Sequence, residues 1–446
     1  MPSESASRQA ASAATARPAK ATGIAAALET IRAEFPALSR RHGGRHYSYL
    51  DGPGGTQVPR RTIEAMVRYL ETSNANHEGA FATSQESDAI LAEAHAAAAD
   101  FLGADGPDQV VFGQNMTTLT FAVSRAIGRT LRAGDEVVVT RLDHDANVAP
   151  WLALEEERGV AIRWVGITGD DCRLDLAEVE KALGPRTRVV AVGLASNAVG
   201  TINPVRKMTE MAHAAGALVY VDAVQYAPHG PIDVRALGVD FLVCSSYKFF
   251  GPHAAALYGR YELLDELKAY KVRPAPDLPP GKFETGTQNH EGIAGVLGAL
   301  EYLEWLGKTF GGDQEEGLRE SGYRGRRLEL KKAMTAIRAR EFELSRSLLT
   351  TLAGIPGLRL YGPADARRLD QRVPTFSFTL AGMPPRQVAE KLAAEGINVW
   401  DGNYYALAVT ERLGLETGGG MVRVGAVHYN TLDEVGRLGD VLKSLR

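Results

Sequence analysis

Residues 217–222 read Ala-Leu-Val-Tyr-Val-Asp, and residues 240–248 read Asp-Phe-Leu-Val-Cys-Ser-Ser-Tyr-Lys. Each is a short apolar run of β-favouring side chains that leads to a charged residue, Asp222 in one and Lys248 in the other. A run apolar on both faces is the pattern of a strand buried in a parallel sheet, because helices cover such a sheet from both sides. The stretch between the two has the length of one strand-to-strand crossover. Asp222 and Lys248 are therefore expected at the same edge of the sheet, on neighbouring strands.

Similar runs lie upstream: QVVFG at 109–113, EVVVT at 136–140, AIRWV at 161–165 and RVVAVGL at 188–194. Amphipathic stretches separate most of them, such as TTLTFAVSRAIGRTL at 117–131 and PVRKMTEMAHAAG at 204–216. Repeated strand–helix–strand units predict an open α/β sheet, with ligands bound beyond the carboxyl ends of its strands. Helical patterns at 58–71 and 84–103 flank this region, after a glycine-rich turn at 51–56. Residues 289–352 are mostly helical, and the charged stretch at 311–334 reads as a solvated insertion, since its charges are mixed in sign. From 358 onward shorter β runs (LRLYG, TFSFTL, INVW, MVRVGAV) alternate with helices, which predicts a second, smaller α/β lobe. The expected organisation is a tail over 1–22, a large domain over 23–300 whose first helix packs with the small lobe, and a small C-terminal domain over 301–446. The last carries the charged helical insertion near 310–335.

The Ala/Ser-rich tail lacks the apolar centre of a secretory signal. A formal net charge of −4 gives no electrostatic basis for binding nucleic acid or an anionic membrane. No apolar run approaches the roughly 20 residues that span a bilayer. The two cysteines, Cys172 and Cys244, build neither a disulfide framework nor a metal site. A cytoplasmic protein is expected.

Lys248 sits past a buried strand between Tyr247 and Phe249-Phe250. Desolvation lowers a lysine's pKa and makes it a nucleophile toward aldehydes. Asp222 poses the same problem with opposite charge, and a protonated pyridine nitrogen would satisfy it. A lysine reaching out to solvent, or a structural ion pair with Asp222, is the plainer alternative. Gly113-Gln-Asn-Met-Thr-Thr118 opens a helix after a strand, as an anion site does. Asp143-His144-Asp145 follows another strand and puts an imidazole near the same edge.

Taken in order, Thr117, His144, Asn197 in SNAVGT, Asp222-Ala-Val-Gln225, Ser245-Ser-Tyr-Lys248 and Phe283-Glu-Thr-Gly-Thr287 resemble class V aminotransferases, pyridoxal-5′-phosphate (PLP) enzymes of fold type I. Among these the chain looks most like the cysteine desulfurase-like branch, over nearly its whole length after the tail. The resemblance implies a mostly parallel, seven-stranded-type sheet. It implies PLP held as an internal aldimine by Lys248, with Asp222 on the pyridinium nitrogen and His144 on the ring. Gln225 and Asn197 would contact the oxygen side. Thr117, Ser245 and Tyr247 would bind the phosphate, Met116 would contact the cofactor, and Thr287 would reach the phosphate of a partner subunit in a homodimer with shared sites. Arg423 would clamp the carboxylate of a small amino-acid substrate, which Asn76 and His77 would also approach. External-aldimine and quinonoid chemistry then leaves β-elimination, transamination and epimerisation open, and a PLP-binding protein without turnover is the alternative of another class.

The resemblance breaks at one point. Desulfurases carry a mobile cysteine that takes sulfur as a persulfide, and the corresponding position falls near Tyr405. Trp400 replaces an arginine often found in the lead-in. With no thiol there, β-elimination of C–S-lyase type without a protein persulfide is expected. Trp400, Tyr404 and Tyr405 would form an aromatic wall for a bulkier or less polar side chain than cysteine's.

Overall fold

The computed structural model describes residues 23–445, so the expected tail over 1–22 lies outside them. Seven strands form the main sheet: β1 Val110–Gly113, β2 Glu136–Thr140, β3 Ala161–Val165, β4 Thr187–Gly193, β5 Leu218–Asp222, β6 Phe241–Ser245 and β7 Ala255–Gly259. Their spatial order is β1-β7-β6-β5-β4-β2-β3. β7 runs antiparallel to both β1 and β6, and the remaining pairs are parallel. Asp222 pairs with Val243 in register, so β5 and β6 are neighbours and their carboxyl ends coincide, as expected. Only β7 had no sequence signal. Ala-Ala-Leu-Tyr-Gly has no β-branched residue, and the chain reaches it from β6 through a tight turn too short for a crossover helix, which makes it antiparallel.

Side chains alternate into two cores. Val138, Val190, Val192, Val219, Val221 and Leu242 bury against one layer of helices. That layer includes α2 Ala82–Leu102, α5 Val205–Ala214 and α6 His290–Phe310. Val137, Val139, Val189, Tyr220, Phe241 and Val243 bury against α3 Met116–Gly128 and α4 Ala149–Arg158 on the other face. The period-2 alternation of buried side chains is why these strands carry no polar face.

The small lobe has an antiparallel four-stranded sheet, β8 Leu358–Tyr361, β9 Thr375–Leu380, β10 Trp400–Gly402 and β11 Met421–Gly425, in the order β8-β9-β11-β10. Residues 48 and 49, from the amino-terminal part of the chain, pair in parallel with Ile397 and Asn398, and Leu50 joins the small lobe's core. Residues 300 and 301, where the lobes were expected to part, fall inside α6. The crossing is made by α7, Gly325–Ala353. Its Met334 and Ile337 lie in the large lobe's core, and its Leu344, Leu348 and Leu352 in the small lobe's. The charged stretch is thus solvated over 312–324 but not beyond. Lys331, in the first turns of α7, is 2% exposed and donates to the Ile232 carbonyl, while Lys332 pairs with Glu315 and Glu329. Mixed charge alone does not separate a solvated loop from a helix whose lysines cap buried carbonyls. Among the described residues no helix is long and apolar enough to cross a membrane.

Candidate active site

The carboxyl ends of the parallel strands converge on a cleft of about 560 Å³. β5 ends on Asp222. β6 ends on Ser245, and a single tight turn over Ser246–Lys248 lifts Lys248 above the sheet. The loops after β2 and β4 bring His144 and Asn197, and α3 points its amino terminus inward. The helix is capped by Asn115, whose Oδ1 accepts from the Thr118 amide at 2.9 Å. The Met116 amide donates to Ser245 Oγ at 3.1 Å, which leaves the Thr117 amide and hydroxyl for an anion at this terminus.

Charges in the cleft are tuned by burial. Lys248 is 8% exposed, and its Nζ donates to the Pro53 carbonyl. Burial, helped by the Arg423 cation, brings its pKa down to about 7, against the opposing pull of Asp222 and Asp51. Burial raises the Asp222 carboxyl to about 6, while its Oδ1 accepts from the Val224 amide at 2.8 Å and Lys248 pulls the other way. Burial, then Lys248 and Arg423, push His144 down to about 4, so its imidazole is neutral. Its Nδ1 accepts from the Ala146 amide at 3.0 Å, which places the proton on Nε2. A neutral, fixed ring is what stacking requires.

The small lobe supplies the mouth. Arg423, on β11, is 4% exposed; it donates to the Asn197 carbonyl at 2.8 Å and lies 4.1 Å from the Tyr404 ring centroid. Its Nε has no partner. Tyr404 and Tyr405 both adopt left-handed backbone conformations, φ 56° and 57°, which β-carbon-bearing residues hold only under constraint. The constraint is visible: Asn197 Nδ2 donates to the Tyr404 carbonyl at 2.8 Å and the Asp145 amide to the Tyr405 carbonyl at 2.7 Å. Tyr405 stacks on His144 with centroids 5.5 Å apart and stands 75% exposed at the rim. Trp400 lies across Gly54, where a β-carbon would collide with the indole.

Met116, Thr117, His144, Asn197, Asp222, Gln225, Ser245, Tyr247 and Lys248 thus share the cleft, and Arg423, Trp400 and Tyr405 its mouth. Asn76, His77 and Thr287 do not reach it. All three are exposed; His290 has its ring 6.1 Å from that of His77 and its Nδ1 3.3 Å from the Ala75 carbonyl, and Thr287 precedes it by three residues. Two contributors were missed. Asp143, fully buried, has its carboxyl raised to about 7 by burial while accepting from Asn147 and Thr140. Its place beside His144 was the available signal. The Pro53 carbonyl, which receives Lys248, belongs to the turn at 51–56 and had none.

The donor set fits PLP. Gln225 Oε1 and Asn197 Oδ1 are buried in the cleft without partners, a state proteins rarely tolerate unless a ligand completes it. An amine, a carboxylate for a ring nitrogen, a flat neutral imidazole and a helix terminus with a spare hydroxyl stand around the same space.

The family described as Aminotransferase class-V matches residues 48–325 and 326–438. A "Probable cysteine desulfurase" of Streptomyces coelicolor is 32% identical over 94% of this chain and 97% of its own length. One of Mycolicibacterium paratuberculosis is 34% identical over 92% of this chain, which spans 56% of that relative's length. The apo structure of a cysteine desulfurase from Thermococcus onnurineus superposes with a TM-score of 0.81 at 27% identity, over 94% of this chain and 97% of that one.

Proposed function

The chain belongs to the class V aminotransferase family and is a PLP-dependent enzyme, and from that premise we propose that it cleaves the Cβ–S bond of a cysteine S-conjugate without forming a persulfide on itself. The absence of a usable thiol carries this reading. The chain has two cysteines. Cys244 lies inside β6 with its Sγ directed at the Ala256 carbonyl, and Cys172 is buried near Asp170 and Gly362. Burial pushes both thiols up to about 12. Neither is a thiolate at neutral pH, and Tyr405 occupies the rim where a sulfur acceptor would need to stand.

Bound in the cleft, the cofactor supplies a sink for the electron pair left when a bond to Cα breaks. Lys248 would hold its aldehyde carbon, and the same Nζ, with a pKa near 7, would take the proton at the substrate Cα. Asp222 would pair with the ring nitrogen, and that cation would keep it ionised. Arg423 offers its unpartnered Nε to the substrate carboxylate. The leaving thiol departs toward Trp400, Tyr404 and Tyr405, whose rings suit a thioether larger and less polar than a free thiol. The net reaction takes one water and releases pyruvate, ammonia and the thiol.

The active form is a homodimer. Ile63, Val67 and Leu70 leave an exposed apolar stripe. Asn76 and His77, absent from their own cleft, lie beside His290, which bonds to Tyr69 next to that stripe at 3.0 Å, and Thr287 precedes His290 by three residues. A second copy seated there would receive them at its own site.

Product analysis tests the reaction. PLP-loaded protein given cysteine S-conjugates should release pyruvate and ammonia with no keto acid present. A keto acid formed only when an acceptor is added would make this an aminotransferase and overturn the lyase reading.

A further inference from the structure

Behind the cleft, Gln225 begins a buried polar chain that the reaction above does not use. Its Nε2 donates to Thr375 Oγ1 at 3.1 Å and lies 3.4 Å from His229 Nε2. His229 Nδ1 is 2.9 Å from Glu341 Oε2 on α7, and the two side chains are 2% and 3% exposed. Glu341 Oε1, like Gln225 Oε1, has no partner. His229 and Glu341 line a narrow crevice with Arg338, Ser345 and Arg372, with room for about one water at most. The charges of Arg340 and His229 bear on His428, whose Nε2 is 2.6 Å from the Tyr302 hydroxyl.

An amide has one donor end and one acceptor end, and so has a neutral imidazole. With His229 Nε2 bare, Gln225 must turn its NH2 inward and offer Oε1 to the cleft, the arrangement seen. With a proton on Nε2, Gln225 turns Oε1 inward and offers its NH2 instead. The ionised ring oxygen of PLP accepts hydrogen bonds and needs the donor end. We propose that His229 and Glu341 are positioning residues that set which end of Gln225 faces the cofactor, and that cofactor loading draws a proton onto His229 Nε2. The proton comes from solvent, and the carboxylate on Nδ1 stabilises the resulting imidazolium. Burial raises the Glu341 carboxyl, while the His229 ring opposes that rise. The inference rests on the cofactor and not on which bond is broken, so it survives if the lyase reading fails.

Nitrogen-15 spectra of the histidine side chains in apo- and holoprotein, assigned with His229→Gln, test it on the wild-type chain. His229 Nε2 should move from the unprotonated to the protonated range on loading. The same state in both forms overturns the proposal. The visible band of the bound cofactor provides a second measurement. His229→Leu and Glu341→Leu should each raise its pH midpoint by about one to two units, the worth of one hydrogen bond to an ionised oxygen. Gln225→Leu should add nothing on top of His229→Leu. Midpoints unmoved by both rear variants, with Gln225→Leu alone shifting the band, would leave the pair a packing role only.

Discussion

Lys248 and Arg423 divide the chemistry between two charges that burial has weakened in different ways. Lys248 is protonated below about pH 7 and free above it. The rate at which apoprotein captures the cofactor should therefore rise with pH through 7 and level off, which stopped-flow absorbance can follow; a rate flat from pH 6 to 9 contradicts a desolvated amine. Borohydride treatment of the holoprotein should place the reduced cofactor on Lys248 and nowhere else. Arg423 cannot lose its charge in the working range, so its role is geometric. Arg423→Lys keeps the charge and loses the fork. KM should rise at least about tenfold, the scale of one charge-assisted hydrogen bond, with kcat less affected. Lys248 was legible because it follows an apolar run past which a charge is costly, whereas Arg423, inside its own strand, was named by the family resemblance alone. Asp143 was harder to read, since a carboxylate beside a histidine looks like any polar loop until its burial is seen.

At the scale of elements, the loop over Asn403–Ala406 and the turn over Ser196–Thr201 decide what enters. Gly200 has φ 79°, and a β-carbon there would lie 2.5 Å from the Thr375 carbonyl oxygen. Gly200→Ala should destabilise the protein by about 1–3 kcal/mol, read from a denaturation midpoint, because it adds strain and a backbone collision at once. The same turn carries Asn197, so cofactor affinity should fall with it. The aromatic rim makes a different prediction. Trp400→Ala and Tyr405→Ala should lower kcat/KM for bulky S-conjugates more than for cysteine, and an unchanged preference would reduce those rings to loop packing. The periodicity of the chain revealed the strands and helices that hold these loops. It could not reveal β7, which lacks side-chain signal, or the left-handed tyrosines, which no composition rule requires.

For the whole molecule, the two lobes meet along α7 and along residues 48–51, so the mouth is built from chain segments far apart in sequence. The exposed stripe of Ile63, Val67 and Leu70 predicts self-association. Light scattering should give twice the chain mass, and Val67→Glu should shift the protein toward monomer while weakening cofactor retention through loss of the partner's Thr287. A fully active monomer would remove the shared-site reading. By itself the sequence determined the parallel sheet, the edge at which chemistry sits and the lysine–aspartate pair, because burial on both faces and charge at strand ends are local and periodic. Only the tertiary structure decided that Asn76 and His77 lie outside their own cleft, that α7 carries the crossing between lobes, and that His229 and Glu341 stand behind Gln225. Those facts depend on which distant surfaces pack together, and long-range packing leaves no period in the chain.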